Sequence, residues 1–319
     1  MPNDDLSFLN DNEPEEIALD ETSDFNMVPT TTEADDSPVE VAQTVIPYDD
    51  RTISLGKDNF AALMSVFQML KHSAPNLFIK NGKVTQLNDK RSLIFDVDLT
   101  PILADANILI SSLPSKYDAL IIYKKQNVEV FLDIDPRGYV FRDSRSKLHF
   151  ARLVESVLGN SPYVTEQQVI ERADINPDRR IFSYVWKKAD LDRIIHWIKL
   201  LGTNVINFEF NGDSIDCVLQ SLDNASTTKA TVLTLEDEVD DNSLTNKTMC
   251  FLAQSLINFI QGGVVEVQSE MFMRRDTTRT AATIKFSALI PIAGTNQNVS
   301  VVTYAGGYVE EVRNEVHIG

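Results

Sequence analysis

Long apolar runs are missing from this chain. No stretch of about eighteen uninterrupted apolar residues occurs, so a membrane-spanning helix is not expected. Cysteine is nearly absent: Cys217 and Cys250 stand alone, neither lies in a CxxC, and no histidine falls at ligand spacing from either. They read as half-buried thiols in a reducing cytoplasm rather than as a disulfide or a metal site. The opening Met1–Glu16 lacks a basic segment followed by an apolar core, which argues against a secretory leader. Basic residues are missing altogether from residues 1–50, which hold 15 acidic ones. No GxSxG, HExxH or P-loop occurs, and His72, His149, His196 and His317 are too dispersed to mark a metal centre. No cofactor is expected.

What is present fits a globular protein. The chain has 319 residues and is 43% hydrophobic, enough for two domains with their own cores. The net charge of -18 belongs mostly to one end: beyond residue 50 there are 32 acidic against 29 basic residues, so the remainder is nearly neutral. Acidity overall therefore does not exclude nucleic acid as a partner. Residues 1–50, rich in Pro, Ser, Thr and carboxylates, cannot bury enough apolar surface to offset their ordering entropy and are expected as a disordered acidic tail. Asp5-Leu6-Ser7-Phe8-Leu9 is a small apolar island within it.

From Arg51 a pattern begins. Arg51–Leu55 alternates as a strand, and Phe60, Leu63, Met64, Phe67 and Leu70 form one helical stripe, with Asp58 in the first turn and Pro75 beyond the end. Asn81-Gly82 between extended runs signals a hairpin. Ser92–Leu99 reads as a strand, Pro101–Leu113 as a second helix, and Ala119–Tyr123, Val128–Asp133, Gly138–Arg142 and Lys147–Phe150 as strands. Residues 151–180 show no sustained pattern and read as a long connector. The pattern then restarts. Ile181–Trp186 is extended, Lys188–Leu201 is a helix closed by Gly202, and Asn211-Gly212 turns a second hairpin. Strands Ser214–Leu219 and Lys229–Leu235, an acidic loop Glu236–Asp241 and a helix over Lys247–Gln261 follow. Strands Val264–Met273, Thr280–Pro291 and Val299–Tyr304 close the unit, with 306–319 as a tail.

Both halves thus run strand, helix, Asn-Gly hairpin, strand, helix and several antiparallel strands, with the turns 130 residues apart. The fold expected is α+β, with two tandem pseudo-symmetric domains, each carrying two helices on antiparallel sheets. The boundaries are a tail at 1–50, a first domain at 51–152, a connector at 153–180, a second domain at 181–305 and a tail at 306–319.

Several residues bear on chemistry. Asp96 and Asp98 share a strand face, as do Asp133 and Asp135. Such pairs can hold Mg²⁺ for a nuclease or phosphotransferase, but they also fit the solvated side of an amphipathic strand. Arg142, Arg145 and Lys147 near Asp143 form either a nucleic-acid patch or a salt-bridged strand.

With Ser54-Leu55-Gly56-Lys57-Asp58, Ile79-Lys80-Asn81-Gly82, Ile94–Leu99 and Phe141–Ser146 in this repeated order, the chain resembles the DNA sliding clamps over about residues 52–305, and the phage T4-type trimeric clamps in particular. The acidic tail and the long connector depart from that pattern. The resemblance implies clamp domains assembling as a homotrimer ring around double-stranded DNA, a non-enzymatic processivity factor for a replicative DNA polymerase in a phage-infected cytoplasm. It implies helices facing DNA, and their non-core positions carry Lys57, Lys71, Lys187, Lys188, Arg193, His196, Lys199 and Lys247, with Lys116 just beyond the second. It implies polymerase and clamp-loader peptides docking beside the connector, where Leu153, Val157, Leu158, Tyr163 and Val164 supply apolar surface. Val128–Leu132 and Val264–Met273 are candidate edges for joining subunits. A clamp-fold adaptor that forms no ring, or a metal-dependent enzyme using the aspartate pairs, are the competing readings.

Overall fold

The computed structural model describes residues 50–88, 90, 92–135, 137–151, 164–211, 214–220, 228–235, 247–274 and 281–311. Strand β1 (Arg51–Leu55) leads into helix α1 (Gly56–Leu70) at Gly56, whose φ of +59° turns the chain sharply. The stripe from Phe60 to Leu70 is fully buried, and with Ala62, Val66 and Met69 also enclosed, the helix is covered on more than one side. Strands β2 (Leu77–Ile79) and β3 (Lys83–Leu87) form a two-residue hairpin, in which Lys80 and Lys83 exchange backbone hydrogen bonds of 2.8 and 3.0 Å. Asn81 and Gly82 take positive φ there, as a primed turn requires. A side chain at Gly82 would collide with the Ala104 carbonyl, so this turn needs glycine for space as well as for conformation.

Strand β4 (Leu93–Asp98) follows, then the single-turn helix α2 (Thr100–Leu103), strand β5 (Ile108–Ile110) and helix α3 (Leu113–Gln126). This overturns two expectations. The helix expected over Pro101–Leu113 is a short turn and a strand, and the strand expected at Ala119–Tyr123 lies inside α3. Pro114 does not stop a helix; it opens one, where its missing N–H costs nothing. Strands β6 (Val130–Asp135), β7 (Gly138–Arg142) and β8 (Lys147–Ala151) complete the first half.

The connector is not patternless: helix α4 (Glu166–Ala173) sits in it, with Thr165 and Gln168 making a reciprocal capping box. After a 3₁₀ turn, the second half runs β9 (Arg180–Lys187), α5 (Lys188–Leu201), β10 (Val205–Phe210), β11 (Ile215–Gln220) and β12 (Lys229–Leu235). It continues with β13 (Lys247–Leu252), α6 (Gln254–Gln261), β14 (Glu266–Met273), β15 (Ala281–Pro291) and β16 (Asn298–Glu311). The fourth helix is therefore shorter than its apolar stripe implied. Thr248 to Phe251 are all buried, and a short run covered on both faces reads equally as strand or helix. The last strand also continues past residue 305 to Glu311, because Tyr308–Glu311 pair with β13.

The strand order is the same twice. The first half has β1-β6-β7-β8, and the second has β9-β14-β15-β16. The remaining strands run β5-β2-β3-β4 and β13-β10-β11-β12, with the β2–β3 step made by the hairpin turn. All pairings are antiparallel. One joint connects the halves: β4 pairs with β16 through Ser300↔Asp98 to Ala305↔Leu93, making the sheet continuous. Both strands proposed as subunit edges are interior. β6 lies between β1 and β7, and β14 between β9 and β15. Among the described residues, β8 and β12 are instead paired on one side only.

The two hairpins are one step out of register with the sequence motif. Lys80 and Lys83 correspond to Asn211 and Ser214, whose backbone bond of 2.9 Å closes the second turn. The repeat is thus spaced by 131 residues, the same value that carries buried Phe60, Leu63 and Leu70 of α1 onto buried Leu191, Ile194 and Leu201 of α5. Cys217 and Cys250 are both buried, and burial pushes the pKa of the Cys217 thiol up to about 12.

Candidate nucleic-acid interface

Alternation along the strands sorts the molecule into two faces. Leu93, Phe95 and Val97 of β4 and Val299, Val301 and Ala305 of β16 enter the main core, in which α1, α3, α5 and α6 bury their apolar sides. Helices α1, α3, α5 and α6 therefore pack on one face of the sheets. On the outward side of these helices the exposed cations Lys57, Lys125, Lys188, Arg193 and Lys199 outnumber the exposed anions Asp118 and Asp192. Beyond residue 50 the chain is nearly neutral, with 32 acidic against 29 basic residues, so a helix layer with a cationic excess is a local reversal of sign.

The cations expected to face DNA differ in what holds them. Lys57, His196 and Lys199 are exposed on α1 and α5. Lys188 pairs with Asp192 one turn on at 3.1 Å, and the Arg193 guanidinium donates to the Val232 carbonyl at 3.0 Å. Lys187 alternates away from buried Trp186 and pairs with Glu266 across the strands at 3.5 Å. Lys71, just past α1, lies 4.5 Å over the Tyr117 ring. Lys116 sits on α3 itself, 5.7 and 5.6 Å over the neighbouring Tyr139 and Phe150 rings, donating to Ser111 Oγ at 2.8 Å; burial lowers its pKa. Lys247 opens β13, in register with Glu311. Lys124 and Lys125 were missed because the segment before them was read as a strand. Tyr117, Leu120 and Tyr123 at helical spacing, ending in a left-handed Asn127, carried the signal.

The opposite face carries the connector helix. Val164 and Val169 pack with Leu87, Ile94 and Tyr304 in a small cluster separate from the main core, and the Val164 N–H donates to the Thr85 carbonyl at 3.1 Å. Beside α4 lies a cavity of about 380 Å³ lined by Lys83, Asp96, Asp98 and Glu166 and by Ile170, Val302 and Tyr304. Burial, together with Glu166 and Asp98 nearby, raises the Asp96 pKa against the pull of Lys83 and Thr85. Tyr304 is pushed up to about 12, by burial first and then by Asp96. Of the connector residues expected to dock partners, Val164 is in this cluster; Leu153, Val157, Leu158 and Tyr163 lie outside the described residues.

The other aspartate pair is spent locally. Asp133 receives two hydrogen bonds from Arg142, at 2.6 and 3.2 Å, and one from Thr52 at 2.7 Å. Asp143 accepts the Arg145 and Ser146 N–H groups and holds the β7–β8 turn. Among the described residues no group of three His, Cys, Asp or Glu side chains is placed to hold a metal ion. No described helix is long and apolar enough to cross a membrane.

Comparison with solved structures turns this geometry into a known fold. The PCNA2–PCNA3 complex of Sulfolobus tokodaii superposes with a TM-score of 0.52 at 13% identity, covering 81% of this chain and 99% of the other. Proliferating cellular nuclear antigen from Entamoeba histolytica gives 0.52 at 13% identity, with coverage of 80% and 97%. This chain has the DNA sliding-clamp fold. The β clamp of H. pylori, solved with 5-chloroisatin, matches at 0.50 and 13% identity over 82% of this chain and 67% of its own. No family model matches the sequence, and no curated protein matches it. The sliding-clamp fold accounts for the doubled strand order and for a helix layer confined to one face, neither of which needs conserved identity.

Proposed function

We propose that this protein is a sliding clamp: copies close into a ring around duplex DNA, helix layer inward, and tether a replicative DNA polymerase as its processivity factor. One observation carries the reading. The repeat uses the β4–β16 joint once inside the chain and leaves its two counterparts, β12 and β8, each paired on one side only among the described residues. A structural phrase that joins head to tail and ends on open halves of the same joint is built to continue into further copies. Residues 51–152 and 181–305 are the two clamp domains, with 153–180 between them, and three copies give a homotrimer of six domains. The role asks the chain to surround DNA, not to transform it. Scattered lysines and arginines on the helix layer, several held by local partners, suit weak and salt-sensitive contact with phosphates rather than a grip on bases. The groove beside α4 is where short peptides of the polymerase and the clamp loader dock.

The test is topological. Subunits dissociated by dilution and re-concentrated on a duplex blocked at both ends by bulky protein are expected to remain through a high-salt wash, and to be lost when one end is freed by cleavage. Equal retention on open and blocked duplexes by an assembled protein overturns the reading.

A further inference from the structure

The groove beside α4 is floored by β3, β4 and β16, whose residues stand in rows across the three strands. One row is apolar: Leu87, Ile94 and Tyr304 lie side by side. Helix α4 rests on it. Val164 and Val169 pack there, and Leu87 and Ile94 beneath them are only 8% and 7% exposed. The next rows, which carry Asp96 and then Lys83 and Asp98, floor the open cavity, with Glu166 of α4 lining it as well. Short peptides bind through apolar anchors sunk into a largely apolar site. Here the open part of the groove is mostly polar, and its apolar part is already filled by the chain itself.

The filling helix is fastened unequally at its two ends. Past its C-terminal end, Arg179 donates to both Asp174 carboxylate oxygens, at 2.9 and 3.3 Å, and to the Met273 carbonyl of β14 at 2.9 Å. Before its N-terminal end, the hold on β3 is the Val164 N–H on the Thr85 carbonyl at 3.1 Å and a Lys83–Glu166 pair 3.6 Å apart and exposed. An exposed pair contributes little. Asp96 and Asp98, which line the same cavity as Glu166, carry its sign of charge, and Lys83 is the one cation among the lining residues. Of the eight residues of α4 only Val169 and Ala173 are buried, while Ile170 at the cavity rim is 63% exposed. A helix with so small an apolar stake opens far below the stability of the whole fold.

We propose that α4 is an autoinhibitory strap: resting on Leu87, Ile94 and Tyr304, it occupies the apolar bed that a partner peptide needs, and it pivots on the Asp174–Arg179 anchor to release that bed. The partner it excludes is a short helical turn presenting two aliphatic side chains spaced as Val164 and Val169 are. That the groove takes partner peptides rests on the clamp reading; the strap itself does not.

The probe is a fluorescein-labelled peptide of residues 164–174, which carries the same two side chains. Lys83→Cys with Glu166→Cys, bridged by a short bis-maleimide, holds α4 down; Cys217 and Cys250 are buried and out of the reagent's reach in the folded protein. Val169→Asp lifts α4, and because Val169 belongs to the small cluster and not to the main core, the fold is kept, which near-ultraviolet dichroism checks. By anisotropy, the Val169→Asp chain is expected to bind the peptide at least about tenfold more tightly than wild type, the factor being set by the fraction of wild-type chains with α4 raised, and the bridged chain is expected not to bind it. By hydrogen exchange of the full wild-type chain, α4 amides are expected to exchange at least about a hundredfold faster than those of β4, and the bridge is expected to slow α4 and leave β4 unchanged. The exchange arm decides the matter even where Val169→Asp fails to fold. Equal peptide binding by the wild-type, bridged and Val169→Asp chains, or α4 amides that exchange no faster than those of β4, overturns the strap. Equal retention on open and blocked duplexes beside the expected binding and exchange overturns the clamp reading and leaves the strap standing.

Discussion

Helices α1 and α5 hold the same place in two copies of one architecture, yet they differ in how much they hide. Eight residues of α1 are buried but only Leu191, Ile194 and Leu201 of α5. α1 is flanked by α3 and α6, so its sides as well as its base are apolar: Ala62, Val66 and Met69 are enclosed. α5 packs on β9, β11 and β12, and the matching positions are Arg193, Trp197 and Leu200. The difference teaches that a repeated fold does not require repeated surfaces. A helix inside the row loses its charges; one at the end keeps them, together with the apolar spots that a neighbour would cover.

The largest break in this comparison comes from matched truncations at the base. Phe67→Ala removes a ring that is 1% exposed and is expected to cost about 3–5 kcal/mol in urea unfolding. Ile198→Ala, at the matching place on α5, removes a smaller and only half-buried side chain and should cost under about 2 kcal/mol in the unassembled chain. Equal losses would mean that α5 is as enclosed as α1.

Next comes the polar network between α1 and α6. Asn258→Leu strands Ser73 and the Gln254 amide in the interior, and should lower stability by about 1–3 kcal/mol. A double-mutant cycle with Ser73→Ala reads the coupling directly. Gly262→Ala forces the Met69 side chain aside and should cost about 1–3 kcal/mol, part of it recovered by Met69→Ala in the same chain. The change Gln126→Ala, at the counterpart of Gly262 on α3, should stay within about 0.5 kcal/mol.

How much of this was legible depends on what fixes each element. The helix Lys188–Leu201 and the strands of the second half other than β13 stand in the sequence because each buries one face, and periodicity then reports burial. The doubled order was legible for the same reason. The segment from Pro101 to Tyr123 is harder to read because Ile102, Ala106, Leu109, Ile110 and Leu113 fall at helical spacing while Ile108 and Ile110 alternate as in a strand, and only the pairing of β5 with β2 decides between them. The Asn-Gly turns pointed to the repeat but to a spacing one residue short, since Asn211 takes the place of Lys80 rather than of Asn81. The site was less legible than the fold. A lysine's partner depends on neighbours distant in sequence: nothing near Lys116 announces Tyr139 and Phe150, and nothing near Lys187 announces Glu266. Edge strands are invisible for a like reason, since β6 and β8 differ in what lies beside them and not in composition.

The smallest effects concern two aspartates on the face away from the helix layer, one in each kind of surroundings. The Arg142 guanidinium holds the Asp133 carboxyl below its ordinary range against the opposing effect of burial, with a lesser contribution from the Thr52 hydrogen bond. A depressed folded pKa contributes stability that is complete above the unfolded value and lost as pH falls through the folded one. Asp133→Asn should therefore destabilise at neutral pH, by under about 1 kcal/mol given solvent screening, and become neutral in acid. Asp96 has the opposite sign. Its pKa is raised, by burial first and then by Glu166 and Asp98, so the folded state takes up a proton sooner than the unfolded chain does. Asp96→Asn should stabilise at neutral pH by a similarly small amount, with the gain shrinking as pH falls through the raised pKa. Urea midpoints for both variants between neutral and acidic pH check the two slopes. Curves that run parallel to wild type would show that neither carboxylate senses the fold, and that the α4 groove is as wet as the outer face of β6.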